Sequence, residues 1–180
     1  MNTDIETLIQ AADQAYDAKK YLEAADQYKQ AAEALRAAGD PLRAAEMDNN
    51  RCVAFLKAGE PQQAYDAAAG TDRLFAEAGD TIRQATAMAN QGMALEDLKE
   101  FDRALELYEQ AVEMLKEAGE DDMRSYIQER VSGIKFRSKQ PVEGLMNMQF
   151  AIDNRQRRGW IAGPVVGFFV KNILRRLGLK

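Results

Sequence analysis

The sequence predicts an all-α fold built from stacked helix pairs. Glycines recur at positions 39, 79 and 119, each preceded by alanine and followed by an acidic residue. A constant period of about 20–50 residues is typical of repeat proteins, whose units stack side by side. Residues that favour helices, alanine above all, are abundant, and there are four prolines. No run of alternating apolar and polar residues predicts a strand.

The register extends beyond the glycines and defines four units. Ala24, Ala64 and Ala104 lie forty residues apart, as do Asn50 and Asn90. The units therefore begin near residues 1, 41, 81 and 121.

Each unit is predicted to contain two helices. In the first unit, apolar residues recur every three or four positions over 5–16 and again over 21–35, which is the spacing of one helix face. Gly39 can adopt the left-handed conformation that ends a helix, and Pro41 fits the first turn of the next one. The same pattern recurs in the later units.

Small residues at matching positions predict close helix packing. Cys52 and Gly92 in the first helices of units two and three lie opposite Ala64 and Ala104 in the second helices. Small side chains allow two antiparallel helices to approach closely, and larger neighbours fill the gaps. We therefore interpret Cys52 as a core residue and not as a nucleophile.

Composition argues against catalysis and against a cofactor. The chain has no histidine and one cysteine, so the commonest general base, the usual metal ligand and any intrachain disulfide are absent. Carboxylates are spread at helical surface spacing, and nothing selects a catalytic pair. We expect a protein that is not an enzyme and binds no cofactor. The single cysteine and the lack of a recognisable signal peptide predict a reducing, cytoplasmic setting.

These features resemble the tetratricopeptide repeat (TPR) family. Its repeat has a small residue in the first helix and alanines twelve and nineteen positions later, a pattern that Gly92, Ala104 and Ala111 match and from which Thr71 departs. The forty-residue period resembles the variant found in kinesin light chains and soluble attachment-protein-like adaptors. The resemblance covers about residues 3–153. It implies a right-handed α-solenoid of antiparallel helix pairs with about four repeats, to which a C-terminal helix is added.

The resemblance also implies a concave groove lined by the first helix of each unit. Acidic and amide side chains with apolar residues between them would suit a basic or amphipathic peptide or protein. Each exposed charge can equally be a solvated helix face, and Asn50 and Asn90 can equally bridge neighbouring helices. The candidate groove residues are Glu6, Ile9, Asp13, Asp17, Glu46, Asn49, Asn50, Val53, Lys57, Thr86, Asn90, Met93, Glu96, Asp97, Glu129, Phe136 and Arg137.

Residues 154–180 differ in chemistry from the predicted repeat domain, residues 1–153. After Asp153 the chain has seven basic residues and no acidic one. A helix from Pro164 would place an apolar stripe opposite basic residues. The residues assigned to this tail function are Arg155, Arg157, Arg158, Trp160, Val166, Phe168, Phe169, Val170, Ile173, Arg175, Arg176 and Leu177.

Three interpretations of the tail remain open. The tail would cap the last repeat, or it would anchor the protein at a membrane surface. In the third interpretation it would insert into the acidic groove of the same chain or of a second copy, and the second case would make an oligomer. The function that we expect is a non-catalytic protein-interaction adaptor; the alternative is a peripheral membrane-associated scaffold held by the tail. Nucleic acid is not an expected partner, because the acidic body would repel phosphates.

Overall fold

A computed structural model describes residues 2–137. They form eight α-helices and, within that range, no strand. The helices are α1 Asn2–Asp17, α2 Tyr21–Ala37, α3 Pro41–Ala58, α4 Pro61–Ala68, α5 Thr71–Glu77, α6 Thr81–Asp97, α7 Phe101–Ala118 and α8 Asp121–Arg137.

The chain divides into two compact units, one ending at Ala104 and the other beginning at Leu105. In the first unit α1 packs on α2, α2 on α3 and α3 on α4, while α6 packs on α3, α4 and α5. Consecutive helices are joined by two or three residues, so packed neighbours in sequence run antiparallel. The prediction of an all-helical repeat fold is confirmed for the described residues.

The joints between repeats share one hydrogen-bonded design. Gly39 has φ 81°, and its N–H and the N–H of Asp40 donate to carbonyls in the last turn of α2, at 3.1 and 3.0 Å. Asp40 then accepts a hydrogen bond from the Arg43 N–H at 3.1 Å and so caps α3. Gly79 and Asp80 repeat this arrangement between α5 and α6. The predicted roles of the glycines and of the proline that follows Asp40 are confirmed.

Small side chains fill the centre of the first unit, as predicted. Ala24, Ala64 and Ala104, which are in phase, are each completely buried, and so is Cys52. Because the side chains are small, helix backbones approach closely, and Tyr28 and Leu35 fill the remaining space in the same core.

The repeat that begins near residue 41 was predicted to have one continuous second helix, and this prediction is wrong. Gly70 has φ 80° and separates α4 from α5. A left-handed residue cannot continue a right-handed helix, so the hydrogen-bond ladder stops there. The freed carbonyl of Ala68 accepts hydrogen bonds from the Thr71 hydroxyl, at 2.8 Å, and from Gln91 Nε2 on α6, at 3.2 Å. Thr71 replaces the family's alanine at the residue that begins α5.

The second unit, where the structure describes it, consists of α8 packed on α7. Arg130 Nε donates to the hydroxyl of buried Tyr108 at 3.0 Å, and Lys135 Nζ lies 2.8 Å from Glu109 Oε1. Ile127 and Ile134 of α8 are both buried.

The predicted tail, its amphipathic helix and the domain boundary at residue 153 lie outside the described residues and remain predictions. Among the helices within 2–137, none combines the length and the apolar character needed to cross a membrane.

Candidate functional site

A cavity of about 250 Å³ opens between α3, α5 and α6 in the first unit. Six of the residues that the sequence assigned to the groove line this cavity. The residues lining it are Glu46, Asn49, Asn50, Val53, Phe75, Arg83, Thr86 and Asn90.

Helical spacing brings these side chains together. On α3 the lining residues lie three, four and seven positions after Glu46, and on α6 they lie three and seven positions after Arg83, so each set occupies one helix face. The α5 helix adds Phe75, which is buried against Ala45 and Ala87. Phe75 was not among the predicted site residues, because its position in the repeat is occupied elsewhere by core leucines.

An amide pair crosses the back of the cavity. Asn49 Nδ2 donates to the Ala45 carbonyl at 3.0 Å, and Asn90 Nδ2 donates to Asn49 Oδ1 at 3.2 Å. Both asparagines are buried. Bridging between helices was the alternative interpretation of Asn90, and the structure establishes that contact.

Asn50 is placed differently from its two neighbours. It is half-buried at the cavity, and within residues 2–137 its side chain forms no hydrogen bond. Its amide can donate two hydrogen bonds and accept others. Asn50 is therefore the amide of this cavity that is available to a ligand.

An ion pair lies at the rim of the cavity. Arg83 Nη1 is 4.0 Å from Glu46 Oε2, and Arg83 Nε is 3.4 Å from Asp80 Oδ2. All three side chains are more than a third exposed. One cation is thus shared by two carboxylates, which leaves an excess of negative charge at the rim.

The preceding repeat carries an equivalent pair. Arg43 Nη2 lies 2.7 Å from Glu6 Oε1, and the two residues are forty positions before Arg83 and Glu46. Glu6 raises the pKa of Arg43 through this hydrogen bond and through its charge. Glu6 and Glu46 were predicted as groove charges without a partner on another repeat. The in-phase arginines were the signal that each carboxylate has a partner on the next repeat.

Asp13 also has an intramolecular partner. The Tyr28 hydroxyl donates to Asp13 Oδ1 at 2.6 Å. Burial and then this hydrogen bond raise the pKa of Tyr28, so the phenol remains protonated and remains a donor. Asp13 therefore holds α2 against α1, although its own side chain is exposed.

The other predicted groove residues are not among those that line the cavity. Asp17, Lys57 and Asp97 are exposed, Met93 is half-buried, and Glu96 is buried. Phe136 and Arg137 are exposed at the end of α8, in the second unit.

Cys52 lies between α3 and α6 and is chemically protected. Its thiol is completely buried, and Sγ lies 3.8 Å from the Asn90 carbonyl to which it donates. Burial raises the pKa of Cys52 to about 12. Since the thiolate is the reactive form, this position agrees with the packing role predicted for it.

The cavity has the chemistry of recognition. It combines apolar contact from Val53 and Phe75 with the amide of Asn50 and the charges of Glu46 and Arg83. Within residues 2–137, no group of three or more histidine, cysteine, aspartate or glutamate side chains is arranged to hold a metal ion.

Comparison with known proteins places the chain in a family. The family model described as soluble NSF attachment protein, SNAP, matches residues 2–177. No curated protein sequence gives a match. The family match agrees with the helical repeats of the structure and with the TPR-like resemblance, while the forty-residue variant shared with kinesin light chains remains a prediction. Because the match covers nearly the whole sequence, this chain belongs to the soluble NSF attachment protein (SNAP) family.

Proposed function

We propose that this protein is a non-catalytic adaptor that binds a protein or peptide partner along the surface formed by the first helices of its repeats, α1, α3 and α6. The observation that carries the proposal is the cavity between α3 and α6. Asn49, Asn50, Val53 and Asn90 were assigned to a binding groove from the sequence, and all four line it. Membership of an attachment-protein family supports a protein partner.

Charge favours a basic partner. Residues 2–137 contain 27 carboxylates and 16 basic side chains. Several carboxylates are neutralised internally, as Glu6 is by Arg43, but Asp17 and Asp97 remain exposed along α1 and α6. An acidic surface increases the rate at which a basic partner associates and disfavours acidic ones.

Site-specific photo-crosslinking of the full chain tests the proposal. A photoreactive amino acid at Lys57, exposed on α3, is expected to form a crosslinked adduct with a partner in lysate. The matched control is Lys29, which is exposed on α2, outside the predicted groove. Equal adducts at both positions, or adducts at Lys29 alone, would contradict binding through the first helices. The yield of the adduct at Lys57 should fall when salt is added, because salt screens the attraction between exposed charges.

A second candidate function, a peripheral scaffold at a cytoplasmic membrane surface, is favoured by the composition of the tail. The seven basic residues after Asp153 are interspersed with Trp160, Phe168 and Phe169, a combination that suits an anionic lipid surface. The competing proposal is that the tail caps the last repeat.

Liposome co-sedimentation of the full chain distinguishes these proposals. If the tail is an anchor, the protein pellets with anionic vesicles in low salt, and a variant with Arg175→Gln and Arg176→Gln pellets less. If the tail is a cap, neither protein pellets, and Phe168→Ser lowers the melting temperature. Lys29→Gln, a charge change in the first unit, is the control for both measurements.

A further inference from the structure

We propose that the cavity between α3, α5 and α6 is an anchoring pocket for one apolar side chain of a basic polypeptide segment. In this assignment Asn50 hydrogen-bonds the backbone of that segment, and Glu46 pairs with a lysine or arginine of it. The inference rests on the proposed function and deepens it, since it names the chemistry that one part of the groove selects.

The size of the cavity determines what it can take. At about 250 Å³ it lies below the range of about 300–1,000 Å³ that is usual for pockets enclosing a whole small-molecule ligand. It is several times larger than the roughly 30 Å³ that one water molecule occupies in the liquid. One large side chain of a partner fits this space. Val53 and buried Phe75 supply the apolar surfaces that would contact it.

The three asparagines of the cavity divide into a structural pair and one residue that is available for binding. Asn90 donates to Asn49, and Asn49 donates to the Ala45 carbonyl, so this pair joins α6 to α3. Asn50, one residue further along α3, forms no side-chain hydrogen bond within residues 2–137. A side-chain amide offers both a donor and an acceptor, which matches the N–H and C=O of a peptide backbone.

The charge at the rim of the cavity favours a partner with a positively charged side chain. Glu46 and Asp80 share Arg83, and the contact between Glu46 and Arg83 is a long one, at 4.0 Å. A cationic side chain can therefore approach Glu46 without displacing a short ion pair. An anionic side chain at the same place would face two carboxylates and one guanidinium, and this net negative charge disfavours acidic partners.

Three synthetic peptides test the assignment by titration into the ¹⁵N-labelled full chain. The first is acetyl-Ala-Lys-Ala-Lys-Leu-Lys-Ala-Lys-Ala-amide, the second has serine in place of leucine, and the third keeps leucine but has glutamate in place of lysine. We expect the first to shift the signals of Asn50, Val53 and Thr86. We expect it to bind at least about fivefold more tightly than the serine peptide, because only leucine buries apolar surface. The glutamate peptide should bind at least about fivefold more weakly than the first, because like charges repel.

Matched variants connect the binding to the cavity. Val53→Trp fills the cavity and should remove the preference for leucine over serine, whereas Lys29→Trp, at an exposed position on α2 outside the groove, should retain it. Glu46→Gln leaves packing intact and should reduce the preference for lysine over glutamate. Asn50→Ala should lower the affinity for the leucine peptide and for the serine peptide by the same factor.

Equal affinity for the leucine and serine peptides, or no binding by any peptide up to about 5 mM, would overturn the assignment. It would also be overturned if the peptide shifted only signals from α1 or α2. The same holds if the Val53→Trp variant, with native chemical shifts elsewhere, still preferred the leucine peptide. A crosslinked partner at Lys57 whose binding is unchanged by Val53→Trp would leave the adaptor proposal standing and reject the pocket alone. The absence of any groove-specific crosslink would instead count against the adaptor proposal itself.

Discussion

Asn90 Nδ2 donates a hydrogen bond to Asn49 Oδ1 at 3.2 Å and so joins α6 to α3 across the repeat boundary. Both side chains are buried, and Asn49 is further held by the carbonyl of Ala45. A buried amide without a hydrogen-bond partner still carries the free-energy cost of having been removed from water. The pair therefore stabilises the contact between two repeats and fixes the width of the cavity that lies in front of it.

Asn90→Ala should lower the free energy of unfolding by about 1–2 kcal/mol, because Asn49 Oδ1 is left without its donor. Asn49→Ala should have a similar effect, and the double variant should be less destabilised than the sum of the two. Urea denaturation followed by circular dichroism measures all three. Asn50→Ala is the control and should stay within about 0.5 kcal/mol of the wild type. Additive effects of Asn49 and Asn90 would show that the bond is not energetically coupled.

The joints of the fold could be predicted from sequence because their physics is local. A left-handed glycine followed by a capping aspartate, as at Gly39 and Asp40, depends on neighbouring residues, and the forty-residue period repeats it. Burial of Cys52 and Ala64 followed from the same period. The break at Gly70 was missed because it departs from the period, and because the Ala68 carbonyl that it frees is satisfied by Gln91, which is distant in sequence.

The site could be predicted only in part. Helical spacing identified the face of α3 that carries Asn49, Asn50 and Val53. The partners of the charged candidates could not be assigned, because each lies on a different helix, as Arg43 does for Glu6. Phe75 was missed for a related reason, since its position relative to the cavity depends on how α5 packs after the break.

The thiol of Cys52 should be unreactive in the folded protein. Burial raises its pKa to about 12, and the side chain is completely inaccessible. At about pH 8 we expect a disulfide exchange reagent to react slowly, at a rate set by opening of the fold, and to react immediately in urea. The release of the coloured thiolate measures both rates. Rapid stoichiometric reaction without denaturant would mean that α3 and α6 separate readily.

Asp48 should make stability depend on pH. It is buried beside Arg36, and burial raises its pKa above the ordinary value of 3.8, an effect that the charge of Arg36 only partly offsets. In the folded state Asp48 thus retains its proton at pH values where the unfolded chain has lost it. Its contribution to stability is full below the unfolded pKa and declines as pH rises through the folded pKa.

Asp48→Asn removes this decline, because asparagine does not ionise. Relative to the wild type, the variant should gain stability as the pH rises above the ordinary pKa of an aspartate, as measured by urea unfolding at each pH. Asp66→Asn, an exposed carboxylate on α4, controls for the change of one charge. A relative loss of stability with rising pH would mean that the attraction of Arg36 outweighs the cost of burial.

The left-handed conformation of Gly70 should set the cost of substitution there. A Cβ at this position would meet no atom within 4 Å, so the strain lies in the backbone at φ 80° and not in a clash. Gly70→Ala should destabilise by about 1–2 kcal/mol, and Gly70→Val by more, because β-branched residues avoid this region. Gly70→Asn should cost less than either, since asparagine tolerates it.

Urea unfolding of the Gly70 variants is compared with that of Gly133→Ala, a substitution within α8 where a Cβ would meet only Arg137 Nη2, at an ordinary contact distance of 4.0 Å. Alanine at Gly133 should stabilise by about 0.5–1 kcal/mol, because the backbone there is helical and alanine is the better helix former. Opposite signs at the two glycines separate backbone strain from the general effect of adding a methyl group. If alanine, asparagine and valine at Gly70 were all neutral, the left-handed residue would not be what divides α4 from α5, and the break would have to be held by the hydrogen bonds of Thr71 and Gln91 to the Ala68 carbonyl.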